Sequence, residues 1–343
     1  MTDDLILLTG ATGFLGYQVL ITALQAGHHV RCAVRSAGGI GRILSSPGLA
    51  ELGPLSDYLS WAIVPDITVD GAYDDAVAGT SYIIHVASPV EADPVDTSTS
   101  GAKDEAFVKP AVSGVIGMLE SAAAHSPTLR RIVVTSSIVA IFPTPCFLGD
   151  IPPNTKPFDA DHRLPDLDPP YEPGLAYFAS KIAALNTSEA WMKKHKLAFD
   201  MNSILPAWIW GRHGLATTPD QLFKGSNGAL MNILTGRESQ HPINSAVVSV
   251  ATAAKAHLLA LDPNVPGNQA FIVGKLENLE TANTIMKKHF SDAVSGGIFS
   301  SCPRQATFNI PMNVEKTEKV LGLKVDSLED MVREVAAQYL ELV

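Results

Sequence analysis

Cysteine is scarce in this chain: Cys32, Cys146 and Cys302 are its three thiols. The number is odd, the spacings are wide and no Cys-x-x-Cys pair occurs. That argues against a disulfide framework and for a reducing compartment. Cys32 falls in an apolar stretch and is expected in the core. No apolar run approaches the ~18 residues that a membrane-crossing helix needs. No basic segment precedes the first apolar run, so no secretory leader is expected. Positive charge is in deficit: 25 Lys and Arg stand against 35 Asp and Glu, a formal net charge of −10. Neither nucleic acid nor an anionic membrane is then an expected main partner. The ten histidines include no pair at metal-ligand spacing, and no Cys/His cluster exists, so no metal is expected. There are no internal repeats and no low-complexity tracts. The expected location is cytoplasmic; a small-molecule partner and a monomer or homodimer are expected as well.

What is present is a 343-residue chain, 46% hydrophobic and 17% charged, long enough for a large core. Its most informative stretch comes first. Leu5 to Leu8 is a continuous apolar run, as in a strand buried on both faces of a parallel sheet. Gly10, Gly13 and Gly16 follow at a spacing of three, and Tyr17 to Ala26 continues with helical periodicity at Val19, Leu20, Ala23 and Leu24. Strand, glycine turn and helix in that order form the dinucleotide-binding fingerprint. One glycine permits the turn, one lets a pyrophosphate approach the backbone, and one lets the helix pack close. The phosphates would sit at the helix N-terminus, against Thr12, Gly13, Phe14, Leu15 and Gly16.

Strands are expected at His29–Val34, Trp61–Val64, Ser81–Val86, Arg131–Thr135, Met201–Leu205 and Ala270–Val273. Helices are expected at about Ile40–Leu44, Ala72–Ala78, Pro110–Ala124, Tyr177–Lys194, Val247–Leu261, Thr281–His289 and Leu328–Leu342. The alternation predicts an α/β fold, a Rossmann-type doubly wound parallel sheet with a smaller C-terminal substrate lobe. The dinucleotide-binding domain would comprise 1–210 plus about 246–275. The irregular, glycine-rich segment 211–245, residues 276–343 and the proline-rich loop 142–174 would form the lobe.

The second strand ends at Arg35-Ser36, with no acid. An acid there would bond the ribose 2′-hydroxyl of NAD, whereas arginine accommodates the 2′-phosphate of NADP. Arg35 is read as the phosphate ligand, helped by Ser36, with Arg31 a weaker candidate. Ligands in such sheets lie beyond the C-terminal strand ends. That places Asp66, Ile67, Ala87, Ser88, Pro89 and Pro206 beside the cofactor.

Tyr177 and Lys181 stand four apart and share one helix face. A free phenol, with a pKa near ~10, is a poor acid at neutral pH, and a neighbouring ammonium would lower it. Tyr177 could then give a proton to a carbonyl oxygen as hydride reaches the carbon. Ser137, at the end of the fifth strand, could bond the same oxygen. Such a Tyr/Lys pair can arise by chance. Its place at the start of the helix after a strand-end Ser136-Ser137 gives it weight.

Thr9 to Gly16, Val134-Thr135-Ser136-Ser137 and Tyr177-Phe178-Ala179-Ser180-Lys181 together resemble an extended short-chain dehydrogenase/reductase. Ala33-Val34-Arg35, His85-Val86-Ala87-Ser88-Pro89, Pro110 to Gly114 and Leu321-Gly322-Leu323 are most similar to one branch of the NAD-dependent epimerase/dehydratase family. That branch holds the dihydroflavonol, cinnamoyl-CoA and yeast-type carbonyl (methylglyoxal/ketone) reductases. The resemblance implies NADPH-dependent reduction of a ketone or aldehyde, with Ser137, Tyr177 and Lys181 as the catalytic set and Lys181 also on the ribose. The alternatives are an NAD-dependent nucleotide-sugar epimerase or dehydratase and a non-catalytic NADP-binding regulator. Substrate walls are expected from Ser88–Val90, Ile138–Phe142, Trp208 and 211–245. Trp208, Trp210 and Phe223 would favour an apolar or aromatic ketone.

Overall fold

A computed structural model describes residues 4–53, 58–88, 100–147, 149–171, 174–237, 242–301 and 305–343, and for 100–106 the backbone alone. Pro89, Val90 and Cys302 lie outside the described residues. Seven strands form one all-parallel sheet: β1 (Leu5–Thr9), β2 (His29–Val34), β3 (Leu59–Ile63), β4 (Tyr82–His85), β5 (Arg131–Thr135), β6 (Asp200–Pro206) and β7 (Ala270–Val273). Their spatial order is β3-β2-β1-β4-β5-β6-β7. The doubly wound arrangement expected from the sequence is therefore the one formed.

Alternation along the strands feeds both layers. Ile6 and Leu8 pack with the helices Phe14–Gln25 and Val250–Leu259 on one face. Leu7, Ala33, Ile83 and Ile132 pack on the other, where Ser100–His125 lies against Leu175–Lys194. Each layer removes apolar surface from water at roughly 25 cal/mol per Å². The sheet order reverses between β1 and β4, and the C-terminal ends of these two strands open the crevice where ligands bind in such folds.

Three sequence expectations are corrected. The helix expected from Pro110 begins at Ser100 and carries Pro110 in its interior. Proline's preference for a first turn misplaced the start. The helix expected from Val247 is preceded by a strand, Ala246–Ser249, and begins at Val250. Ser249 caps it: its hydroxyl accepts from the Thr252 N–H at 2.9 Å, and Asp326 takes up the hydroxyls of both Ser249 and Thr252. The segment 211–245, expected to be irregular, contains the helix Gly225–Thr235 and a 3₁₀ turn, Pro219–Phe223. Gly225, Ser226, Asn227 and Gly228 are poor helix formers, so tertiary packing sustains this helix. Asn227 clasps the backbone of Gly211 with both amide atoms, and the Trp210 indole donates to the Ser226 carbonyl at 2.9 Å. Around them lies a second core, including Leu222, Met231, Met286, Phe299 and Met331.

Candidate active site

The glycine turn is dictated by backbone proximity. Gly10 has φ +76°, and a Cβ there would lie 2.9 Å from the Ala87 nitrogen. A Cβ on Gly16 would stand 2.0 Å from the Gly10 carbonyl oxygen, so the helix packs directly on the turn. Gly13 caps the helix Phe14–Gln25 with no side-chain hydrogen bond. The first turn thus presents backbone N–H groups and the positive end of the helix dipole, a seat for a pyrophosphate. Thr12, half-buried at this turn's rim, has its carbonyl bonded by Arg42. Phe14 lies against the His213 ring at 5.1 Å, while Leu15 is buried.

Thr9, at the end of β1, joins the turn to β4. Its hydroxyl oxygen accepts from the N–H groups of Val86 (3.1 Å) and Ala87 (3.0 Å) and lies 3.0 Å from His85 Nδ1. With two donors already on that oxygen, the hydroxyl proton goes to Nδ1, which assigns the ring proton of His85 to Nε2. Nothing in the sequence signals this clasp beyond the position of Thr9 at a strand end.

Arg35 and Ser36 are exposed just past β2, with Ser36 opening the helix Ala37–Leu44. Arg31 is committed elsewhere, donating to the carbonyls of Ala76 and Ala78 at 2.8 and 2.7 Å. Asp66 accepts from the Thr68 amide and hydroxyl. These bonds, with a smaller contribution from the Arg35 charge, hold it below the usual carboxylate range. Ile67 packs on the helix Ser100–His125 at Gly114. Ala87 and Ser88 follow β4, and Pro206 closes β6 beside Val273.

Beyond β4 and β5 three expected residues meet. Ser137 lies close enough to the Tyr177 phenol to lower its pKa, and its Oγ accepts from the Val139 N–H at 3.3 Å. The Lys181 ammonium lies 5.8 Å from the centre of the Tyr177 ring and donates to Ser88 Oγ at 3.0 Å. Lys181 is buried, and burial pushes it down to about 8. Burial also raises the Tyr177 phenol, opposed by Ser137, so its value lies above the ordinary one rather than below it.

The expected substrate walls divide. Ile138, Ile141 and Phe142 are fully enclosed in the core. Trp210 is buried and hydrogen-bonded, and Phe223 packs against Tyr339 with Arg237 over its ring. Trp208, 36% exposed, stands at the end of β6 in the short strand Trp208–Trp210. Among the described residues no group of three His, Cys, Asp or Glu side chains could hold a metal ion, and no helix is long and apolar enough to cross a membrane.

Residues 6–220 match the model of the NAD dependent epimerase/dehydratase family. The chain belongs to that family. A ketoreductase of Cercospora beticola is 39% identical across 100% of this chain and 96% of its own length. A ketoreductase of Aspergillus fumigatus is 30% identical across 99% of each. The solved structure of yeast methylglyoxal/isovaleraldehyde reductase complexed with NADPH superposes with a TM-score of 0.79 over 98% of each chain, at 21% identity. That likeness is one of fold.

Proposed function

We propose that this chain is an NADPH-dependent carbonyl reductase, converting a ketone or aldehyde to an alcohol. The observation that carries the reading is the convergence of Ser137, Tyr177 and Lys181 beside the glycine turn. The ketoreductase names of the full-length relatives support it.

The residues present fit the dinucleotide. The uncapped N-terminus of Phe14–Gln25 and the close approach at Gly10 suit a pyrophosphate. Arg35 and Ser36 would take the 2′-phosphate, and Ala87, Ser88, Lys181 and Pro206 would border the nicotinamide half. When bound, NADPH supplies the hydride. Ser137 orients the carbonyl oxygen by hydrogen bonding, and Tyr177 holds the proton that this oxygen receives. The Lys181 charge stabilises the phenolate left behind. The core around Leu222 and Met231, with 142–174, would form the substrate lobe, and Trp208 would border the substrate.

A nucleotide-sugar substrate is disfavoured. It would need a cluster of cations for its diphosphate, yet 211–245 holds only Arg212, Lys224 and Arg237, of which Arg212 is paired with Glu341 and Arg237 lies over Phe223. The test is a panel of ketones, aldehydes and nucleotide-sugars, with NADPH consumption followed by absorbance. Consumption with carbonyl compounds supports the reading, and an unchanged absorbance with every carbonyl compound, beside conversion of a nucleotide-sugar seen by chromatography, would replace it.

A further inference from the structure

A small cavity lies beside Lys181. Ser136 and Ser203 wall it from the sheet, His85 from the end of β4 and Val115 from the helix Ser100–His125. It has room for a water molecule. Ser136 is nine-tenths buried, and among the described residues its hydroxyl has no hydrogen-bond partner. Its backbone N–H is fixed to the Ile204 carbonyl at 2.7 Å, which holds the main chain at this strand end in place. A buried hydroxyl left without a partner is costly. Carbonyl reduction as derived above makes no use of this one, since the neighbouring Ser137 takes the carbonyl oxygen.

We propose that the cavity holds an ordered water bonded to the Ser136 hydroxyl and the Lys181 ammonium, making Ser136 a positioning residue for Lys181. The donors and acceptors match. An ammonium has three protons. One goes to Ser88, and a second reaches the cavity. The water accepts it, donates to Ser136 Oγ, and can accept a further bond from His85 Nε2–H, the ring nitrogen left after Thr9 occupies Nδ1. Polar cavities keep water when two to four such partners surround it.

The consequence is electrostatic. Lys181 is enclosed by neutral groups: Ala111 and Val115 from one helix, Val134, Thr135 and Ser136 from β5 and its end, and Ser203 from β6. The titratable groups facing it are His85, neutral by burial, and Tyr177. The water is then the chief source of hydration for the ammonium. Without the Ser136 hydroxyl to anchor it, the protonated form loses support and Lys181 titrates lower.

As a statement about kinetics the inference rests on the reductase reading, but its first test does not. Lysine labelled with ¹³C at Cε is titrated by NMR in the full chain, with Lys181→Met assigning the signal. Ser136→Ala is expected to lower the Lys181 midpoint by about 0.5–1 pH unit, one hydrogen bond's worth. Ser136→Thr, which keeps the hydroxyl, is expected to retain it. The alkaline limb of kcat should move with the midpoint, which a merely structural role for Ser136 would not produce. Should alanine disturb the strand end, Ser136→Gly serves on the same readout. A midpoint that falls in both alanine and threonine variants, or in neither, overturns the proposal. A shifted midpoint in a protein that reduces no carbonyl compound would remove the reductase reading and leave this one standing.

Discussion

The Lys181 ammonium and the Ser88 hydroxyl are joined by a 3.0 Å hydrogen bond that ties the helix Leu175–Lys194 to the end of β4. The lysine of the Tyr/Lys pair is thereby fixed from a second element, beside the strand end that the glycine turn touches through Ala87. Fold and chemistry meet here.

Replacing Tyr177 by Phe removes the phenolic proton and keeps the ring. Turnover is expected to fall by about 10²–10⁴-fold, the usual worth of a general acid. NADPH affinity, measured by fluorescence titration, should change little. Persistent turnover would require another proton donor.

Arg35→Glu places a negative charge where the 2′-phosphate is expected. A charge-assisted hydrogen bond then gives way to a repulsion, and the KM for NADPH should rise at least about tenfold. The KM for NADH should barely move. Equal losses for both cofactors would remove Arg35 from the phosphate site.

Lys181 should lower stability at neutral pH. Its value in the fold, about 8, lies below the unfolded value of 10.5. Between these pH values the unfolded chain binds the extra proton, so stability rises with pH across that window. Below about 8 the full cost of the buried charge is present, on the order of 3 kcal/mol at most. Lys181→Met should therefore raise the thermal midpoint at pH 7, by a margin that shrinks towards pH 10, while abolishing turnover. A destabilised variant at pH 7 would contradict this.

Acid should unfold the protein early. Burial lowers His85, His213 and His257 to about 4 from 6.5. As pH falls through that window the unfolded chain takes up protons that the fold refuses, so stability present above 6.5 is lost. Thermal midpoints measured from pH 7 to 4 should drop steeply. His257 Nδ1 donates to the Ala253 carbonyl at 2.7 Å, and its Nε2 lies 2.7 Å from Thr135 Oγ1. His257→Asn, which cannot titrate, should flatten the curve. An unchanged slope would point to other groups.

Much of this was legible in the sequence because it rests on short-range pattern. The run Leu5–Leu8, the glycine spacing and the Tyr/Lys pair each fall within one element or one turn and its neighbour, where periodicity and turn chemistry act directly. Legibility failed where distant parts of the chain decide. The helix Gly225–Thr235 contradicts the propensities of its first four residues and is held by Trp210 and by the backbone of Gly211. The start at Val250 depends on Asp326, far along the chain. The roles of Thr9 and His85 emerge only when β1 and β4 lie side by side. The burial that raises Tyr177 and lowers Lys181 belongs to the assembled layers, whereas spacing alone suggested only the attraction between them.

Hydride delivery to a carbonyl carbon at the Ser137–Tyr177–Lys181 site is the step on which the rest depends. NADPH carrying deuterium at the transferred C4 position should be incubated with a ketone that the protein consumes, and the product alcohol weighed by mass spectrometry. The expected product is an alcohol one mass unit heavier, formed by the wild type and not by Tyr177→Phe. An unlabelled product formed without loss of NADPH would contradict hydride transfer at this site.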